Sequence, residues 1–353
     1  KNNNSFRTIS IPPTKLKIIQ RIIYQDLSYS FQFNNRSYAF QHNKSPIKAI
    51  NRVKHIIQSH EFILKTDIKN FFDTMDHTIL HNKLKDLIKD QKIIYIILLF
   101  INNGALFKGV WVDKLQGVYQ GDVLSPLLSN IYLDSFDEHF ESKNIEFIRY
   151  ADDIIFFTKQ YNEAKILLQD IADYLKTLKL ELNQDKTYIV NKLKTFEYLG
   201  IRFDTKNNLL SIDNDRLMKK VSNLYKETQS LNLSDTIIKI NEHVNGFKRY
   251  YDQVVNNKKQ FVQLQENEEK IIIDKIVQAK KEKDITNKKR FFELLSQLKT
   301  YIYKEKIVYL LVDKAYEYIK LQTPVASVKK QIDRTKIHYS KNYLKSTELV
   351  ITK

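Results

Sequence analysis

The 353-residue chain contains no cysteine, which excludes disulfide staples, thiolate zinc sites and a cysteine nucleophile together. Any metal must be held by oxygen or imidazole. No stretch approaches the ~18 uninterrupted apolar residues of a membrane span, and the opening "KNNNSFRTIS" has no apolar signal core. These absences predict a cytoplasmic protein with no membrane partner. Gly-Ser linkers and clear internal repeats are missing too. Apolar material is plentiful, at 42% of residues with 21 Tyr and 20 Phe, which suits packed cores rather than global disorder. At this length more than one lobe is expected, because single cores rarely grow beyond ~250 residues.

Negative charge is the other shortage. The formal net charge is +17, and residues 211–353 hold 29 Lys and Arg against 18 Asp and Glu. Such an excess points to a polyanion, since neutralising phosphates with Lys and Arg supplies most sequence-independent nucleic-acid affinity. A lysine-rich composition throughout the chain would give the same excess without a partner.

Pro12 and Pro13 precede apolar residues at helical spacing, Leu16, Ile19, Ile23 and Leu27, and predict a first helix. Ser45 as N-cap with Pro46 at the first helical position predicts a second, with Ile47, Ile50, Lys54 and Ile57 on one face. "EFILKTD" then reads as a strand ending at Asp67. "LSPLLSNIYLDSFDEHF" places Leu128, Ile131, Tyr132 and Phe136 on one helical face. "IEFIRY" and "IIFFT" are strands around a tight Ala-Asp-Asp connection. A helix with Ala164, Leu168, Ile171, Leu175 and Leu178 follows, and "KTYIVN" is a strand again. The order β, α, β, β, α, β is a split βαβ arrangement. With right-handed crossovers the third strand lies antiparallel between the first two. Asp67 and the pair Asp152 and Asp153 are thereby expected on one sheet edge. The long insertion of roughly residues 74–120 is expected to join another lobe, and the chain beyond residue 205 reads as basic and helical.

An adjacent Asp pair in a turn is ordinarily a solvated cap. Three aspartates converging on one edge repel one another unless cations neutralise them, and hard oxygen ligands select Mg²⁺ or Mn²⁺. Two such ions about 3.5–4 Å apart can activate an attacking hydroxyl and stabilise a leaving pyrophosphate. The reaction class is nucleotidyl transfer.

The motifs resemble those of reverse transcriptases of the group II intron type. "RYADDIIFF" is similar to the Tyr-x-Asp-Asp signature, "KTDIKNFFDTMDH" to the first metal-binding motif, and "QGDVLSPLLSNIYLD" to the nucleotide-pocket motif. "LELNQDKTYIV" resembles the lysine-bearing motif and "FEYLGIRF" the primer grip. "RTISIPPTKLKIIQRII" and "NRSYAFQHNKSPIKAI" resemble finger motifs, and "NEHVNGFKRYYDQV" the first thumb segment. The resemblance spans roughly residues 5–255 with the motifs in family order. It implies an α+β fold of right-hand polymerase architecture: helical fingers (1–60), a ferredoxin-like palm (61–85 and 117–205), a fingers/palm insertion (86–116) and a helical thumb (206–260). Residues 261–353 lie beyond the resemblance and read from their own pattern as a basic helical C-terminal extension.

The resemblance further implies an RNA-directed DNA polymerase using two Mg²⁺ ions, dNTPs, an RNA template and a DNA product. Asp67 and Asp152 would be the principal metal ligands, with Asp153 and the Ile68 carbonyl assisting, and Lys186 the acid for pyrophosphate. Arg7, Lys65, Lys69, Phe72, Gln120 and Gly121 would meet the nucleotide, with Phe72 excluding a ribose 2′-hydroxyl. Tyr198, Leu199, Gly200, Phe247, Lys248, Arg249 and Tyr251 would meet primer and template. His42, His55, His60 and His77 lack metal-ligand spacing and receive no role. With no zinc-finger endonuclease and no Val-Thr-Gly element near the thumb, the compact pattern resembles bacterial phage-defence and abortive-infection enzymes that act with a dedicated non-coding RNA. Template-independent or protein-primed synthesis, and an RNA-binding scaffold without catalysis, are the alternatives.

Overall fold

The computed structural model describes residues 10–257, 259 and 260, and positions 267, 271, 274 and 275. In chain order the elements are helices α1 (Thr14–Ser30) and α2 (Pro46–Ile56), strand β1 (Phe62–Asp67), helices α3 (Phe71–Thr74), α4 (His77–Leu87) and α5 (Gln91–Asn102), and strands β2 (Ala105–Phe107) and β3 (Val110–Val112). Then come α6 (Ser125–Ser142), β4 (Glu146–Tyr150), β5 (Asp153–Thr158), α7 (Tyr161–Thr177), β6 (Tyr188–Asn191), β7 (Phe196–Tyr198), β8 (Ile201–Asp204), β9 (Leu209–Ile212), α8 (Asn214–Thr228) and α9 (Leu233–Tyr251). The chain divides into two compact units, residues 1–210 and 211–353. Among the described residues no helix is long and apolar enough to cross a membrane.

Local chemistry starts the helices where the sequence indicates. Ser45 Oγ accepts from Lys48 N at 3.2 Å with Pro46 in the first turn, which satisfies a backbone donor that no carbonyl can reach. Asp76 caps α4 by accepting from the amides of Thr78 and Ile79. Asp90 does the same for α5 through Lys92 N.

The central sheet has the order β4-β5-β1-β6. All of its neighbours are antiparallel, so β1 and β4 run parallel with β5 between them, as the split βαβ pattern predicts. Register assigns the two faces. Leu64 opposes Phe156 and Thr66 opposes Ile154, whereas Lys65 opposes Ile155 and Asp67 opposes Asp153. Because side chains alternate along a strand, Leu64, Ile154 and Phe156 point into the core shared with α6 and α7. Lys65, Asp67 and Asp153 project from the other face.

Helix α6 is the centre of that core. It buries Leu127, Leu128, Ile131, Tyr132, Leu133, Phe136 and Phe140, a span too wide for a one-sided amphipathic helix. From the insertion, Leu80 and Leu84 of α4 and Ile94, Ile97 and Ile101 of α5 join the same cluster as Leu64 and Phe156. Helix α4 packs on both α5 and α6. Two helices are rotated from expectation. Helix α1 buries Gln20, Ile23 and Leu27 and leaves Leu16 and Ile19 exposed, because Gln20 has partners inside. Helix α2 buries Ala49, Ile50, Val53 and Ile56. In the second unit, α8 buries Leu217 and Leu224, and α9 contributes Ile237 and Ile240.

Candidate active site

Asp67 is the last residue of β1, and Asp153 is the first of β5 and its direct cross-strand partner. Asp152 lies in the turn between β4 and β5, and its carbonyl accepts from Ile68 N at 3.2 Å. The backbone thus brings Asp67, Ile68, Asp152 and Asp153 to one edge. Ala151, just before the pair, has φ +56°, a left-handed conformation that costs a non-glycine residue about 1–2 kcal/mol.

Lysines face these carboxylates. Lys186, in a 3-10 turn at Gln184–Lys186, donates to Asp67 Oδ2 at 2.7 Å, and Asn183 Nδ2 donates to Oδ1 at 3.2 Å. Lys65 Nζ stands 3.6 Å from Asp153 Oδ1. Burial is the main cause that raises the Asp153 carboxyl to about 6; Lys65 opposes the shift, and the charges of Asp67 and Asp152 add to it. Among the described residues no three carboxylate or imidazole side chains gather into a ready-made metal cluster.

The donor chemistry nevertheless suits a hard divalent cation. Three carboxylates and a backbone carbonyl are all-oxygen ligands, and buried Asp153 Oδ1 has an ion pair with Lys65 at 3.6 Å in place of a close hydrogen bond, which leaves it room for a further cation. Beside the edge, an open cavity of about 490 Å³ is lined by Lys65, Lys186 and Arg202, by the carboxylates of Asp185 and Glu197, and by Tyr188, Thr195 and Phe196. Its cations outnumber its carboxylates by one, a small bias toward an anionic occupant.

The segment after β1 meets the loop before α6. Phe72, on α3, is partly buried against the core with its ring 5.5 Å from that of Phe71. Its carbonyl accepts from Val118 N at 2.7 Å, and Met75 O accepts from Gly117 N at 2.7 Å. His77, given no role from sequence, hydrogen-bonds the Gly117 carbonyl through Nε2 at 2.7 Å. Gly117 has φ +75°, and a Cβ there would lie 2.6 Å from the Asp73 and Phe72 carbonyls, so only glycine fits this crossing. A few residues on, the Gln120 carbonyl accepts from Ser10 N at 2.8 Å. Gly121, with φ +108°, is exposed. Buried Gln20 grips the next two residues, donating to Asp122 Oδ2 at 3.1 Å and accepting from Val123 N at 3.0 Å. Burial raises the Asp122 carboxyl against these bonds.

Other expected nucleotide and nucleic-acid contacts fare differently. Lys69 is exposed and 3.8 Å from Glu181. Arg7 and the side chains of Phe247, Lys248 and Arg249 lie outside the described residues. Leu199 and Gly200 form the tight turn between β7 and β8, both at positive φ. Tyr198 is a correction: it is fully buried, with its hydroxyl 3.4 Å from Ile148 O and 3.5 Å from Asp153 O. It supports the aspartate strand from within and has no surface for primer or template. Tyr251 is a second correction, buried in the helical unit with its ring 4.7 Å from that of Tyr250.

Sequence reasoning missed Arg149 and its partners. Arg149 on β4 and Asp137 and Asn130 on α6 are fully buried. The available signal was an arginine following the apolar pair Phe147 and Ile148 within strand β4.

Comparisons with known proteins place these features. The family profile described as reverse transcriptase (RNA-dependent DNA polymerase) matches residues 1–203. A putative COX1/OXI3 intron 2 protein of Saccharomyces cerevisiae is 25% identical over 310 residues, covering 69% of this chain and 36% of the relative. Group II intron-encoded protein LtrA of Lactococcus lactis subsp. cremoris is 32% identical over 184 residues, covering 51% of this chain and 30% of the relative. The chain therefore spans 36% and 30% of the lengths of these two curated relatives. Among solved structures, apo telomerase from Candida Tropicalis is similar with a TM-score of 0.49 and 14% identity, covering 90% of this chain and 59% of that one.

Proposed function

The chain belongs to the reverse transcriptase family, and from that premise we propose that it is an RNA-directed DNA polymerase that copies an RNA template into DNA from dNTPs. The observation that carries the reading is the cross-strand pair Asp67 and Asp153 with Asp152 in the intervening turn. Asp67, Asp152, Asp153 and the Ile68 carbonyl would hold two Mg²⁺ ions, with Mn²⁺ as a substitute. When bound, such ions lower the pKa of the attacking 3′-hydroxyl and offset charge on the departing pyrophosphate.

The chain's own residues do the rest. The antiparallel β4–β5 hairpin keeps the carboxylates on a rigid edge, which lowers the cost of ordering them at each turnover. Lys186, 2.7 Å from Asp67 Oδ2, would give a proton to the leaving pyrophosphate. Lys65 and the other cations of the cavity wall would balance the triphosphate, with Arg7 and Lys69 as further contacts. Phe72, bonded through its backbone to the loop of Gln120 and Gly121, would close the pocket against a 2′-hydroxyl.

In this reading the first compact unit holds fingers and palm, and α8 and α9 belong to the thumb of a right-hand architecture. Leu199 and Gly200 would meet the primer, and Phe247, Lys248 and Arg249 the duplex. We assign the biological setting to bacterial antiviral defence with a dedicated non-coding RNA. The test is Mg²⁺-dependent dNTP incorporation on a primed RNA template, with the products sequenced. Asp67→Ala and Asp152→Ala should abolish it, and full activity in either variant would reject the metal assignment. Products unrelated to the supplied RNA would favour untemplated synthesis instead.

A further inference from the structure

A charged side chain with no exposure is rare unless it is paired, and removing one partner of such a pair is costly. Arg149 is the largest fully buried side chain among the described residues; three of its bonds go to helix α6 and one goes to the turn that carries the aspartate pair. Nε donates to Asp137 Oδ1 at 2.7 Å, and Nη2 donates to Asp137 Oδ2. This is the two-pronged match of a guanidinium to a carboxylate. Nη1 donates to Asn130 Oδ1 at 3.2 Å and to the carbonyl of Ala151 at 3.3 Å.

The last bond is the informative one. The Ala151 carbonyl belongs to the peptide plane whose other end is the Asp152 amide, so orienting that oxygen orients the start of Asp152. Ala151 is held in a left-handed conformation without being glycine, which persists only where the surroundings impose it. On the far side of the turn, Asp152 O is fixed by Ile68 N. Asp152 is therefore held from two directions, by Arg149 through Ala151 and by β1 through Ile68.

The anchors are themselves fixed. Asn130 Nδ2 donates to Ala39 O at 2.8 Å, and the backbone of Arg149 pairs with Arg36 O and Tyr38 N, which covers the open edge of β4. The guanidinium thus sits in a frame made from α6 and the segment before α2, with one prong aimed at the turn. A lysine could match the charge of Asp137 but not the fork.

We propose that Arg149 is a positioning residue: locked by Asp137 and Asn130, it sets the Ala151–Asp152 peptide and with it the geometry in which Asp152 meets a divalent cation. The proposal rests on the metal reading of the aspartate edge. Residues that orient ligands without touching the metal typically change its affinity by about 10–100-fold when replaced.

The test compares Arg149→Lys, Asp137→Asn, Asp152→Ala and the parent protein, all bound to a primed RNA template. Mn²⁺ binding is followed by electron paramagnetic resonance of the free ion, and the Mg²⁺ midpoint by single-nucleotide incorporation. Arg149→Lys should weaken Mn²⁺ binding and raise the Mg²⁺ midpoint of the folded fraction by about 10-fold, over and above the fall in thermal midpoint that disturbing a buried ion pair brings, with affinity for the primed template near that of the parent. A purely structural role would lower the thermal midpoint and leave the Mg²⁺ midpoint of the folded fraction unchanged, which overturns the proposal. Should Arg149→Lys not fold, Asp137→Asn keeps the arginine and the side-chain volume, and the same criteria apply to it. If Asp152→Ala binds Mn²⁺ like the parent, the metal reading falls and the proposal with it. If Asp152→Ala loses binding while Arg149→Lys and Asp137→Asn do not, only the role of Arg149 is overturned.

Discussion

Asp67 and Asp153 oppose each other as the terminal Cα pair of β1 and β5, so two carboxylates project from the same face of a buried sheet. Burial raises Asp153 from an ordinary 3.8 to about 6. A folded-state value above the unfolded one means that the native state keeps the proton longer. The resulting stability is full below about pH 4 and is lost as pH rises through about 6. Asp153→Asn abolishes this dependence. Without divalent ions, urea unfolding should find the variant more stable than the parent by about 1–2 kcal/mol at pH 8, after discounting for solvent screening, and equal to it near pH 4. Asp134 is also raised to about 6, but it is present in both proteins and cancels in the difference. Equal stability at pH 8 would mean that Asp153 is not strained when ionised.

Gly117→Ala should destabilise the fold. At φ +75°, with backbone carbonyls 2.6 Å from where the new methyl group would lie, an alanine strains the backbone and pushes apart the segments that carry Phe72 and Gln120. The expected loss is about 2–3 kcal/mol in urea unfolding, together with a higher KM for dNTP. Gly109 is the internal control, since it has positive φ but open space around it. Gly109→Ala should cost clearly less.

Phe72→Ala should lower the preference for dNTP over rNTP by about 10–100-fold, the range that one side chain's steric exclusion can supply. The ring is only partly buried, so folding should survive the change. Single-nucleotide kcat/KM values for matched dNTP and rNTP decide it. An unchanged ratio would reduce Phe72 to a core packing residue.

Much of this site was legible because it follows from periodicity. Apolar runs and helical stripes in the order β, α, β, β, α, β dictate which strand ends share an edge, and Asp67, Asp152 and Asp153 are carried there by strand order alone. What was hidden depends on partners distant in sequence. The packing of α4 against both α5 and α6 cannot be read from a local stripe, which says only that a helix has an apolar face. Tyr198 reads equally well as an exposed primer contact or a buried strut, because a phenol suits both surroundings. Gln20 and Arg149 were overlooked for the same reason: a polar residue reads as exposed until Asp122, Asp137 and Asn130 are found beside it, even where, as with Arg149, its strand neighbours are apolar.

Lys186 offers the sharpest division between two roles. It donates to Asp67 Oδ2 at 2.7 Å, so it could be no more than the counter-ion of a carboxylate awaiting metal. In that case Lys186→Met frees Asp67, lowers the Mg²⁺ midpoint and leaves the saturated rate intact. As the acid for departing pyrophosphate it would act after metal binding. Lys186→Met would then reduce the single-turnover rate at saturating Mg²⁺ and dNTP by about 10²-fold, the lower end of what a general acid contributes. The second outcome is expected, because Lys186 also lines the cavity beside the aspartate edge, where a side chain that only neutralised Asp67 would have no reason to face. The saturated rate separates the two roles irrespective of the change in Mg²⁺ midpoint.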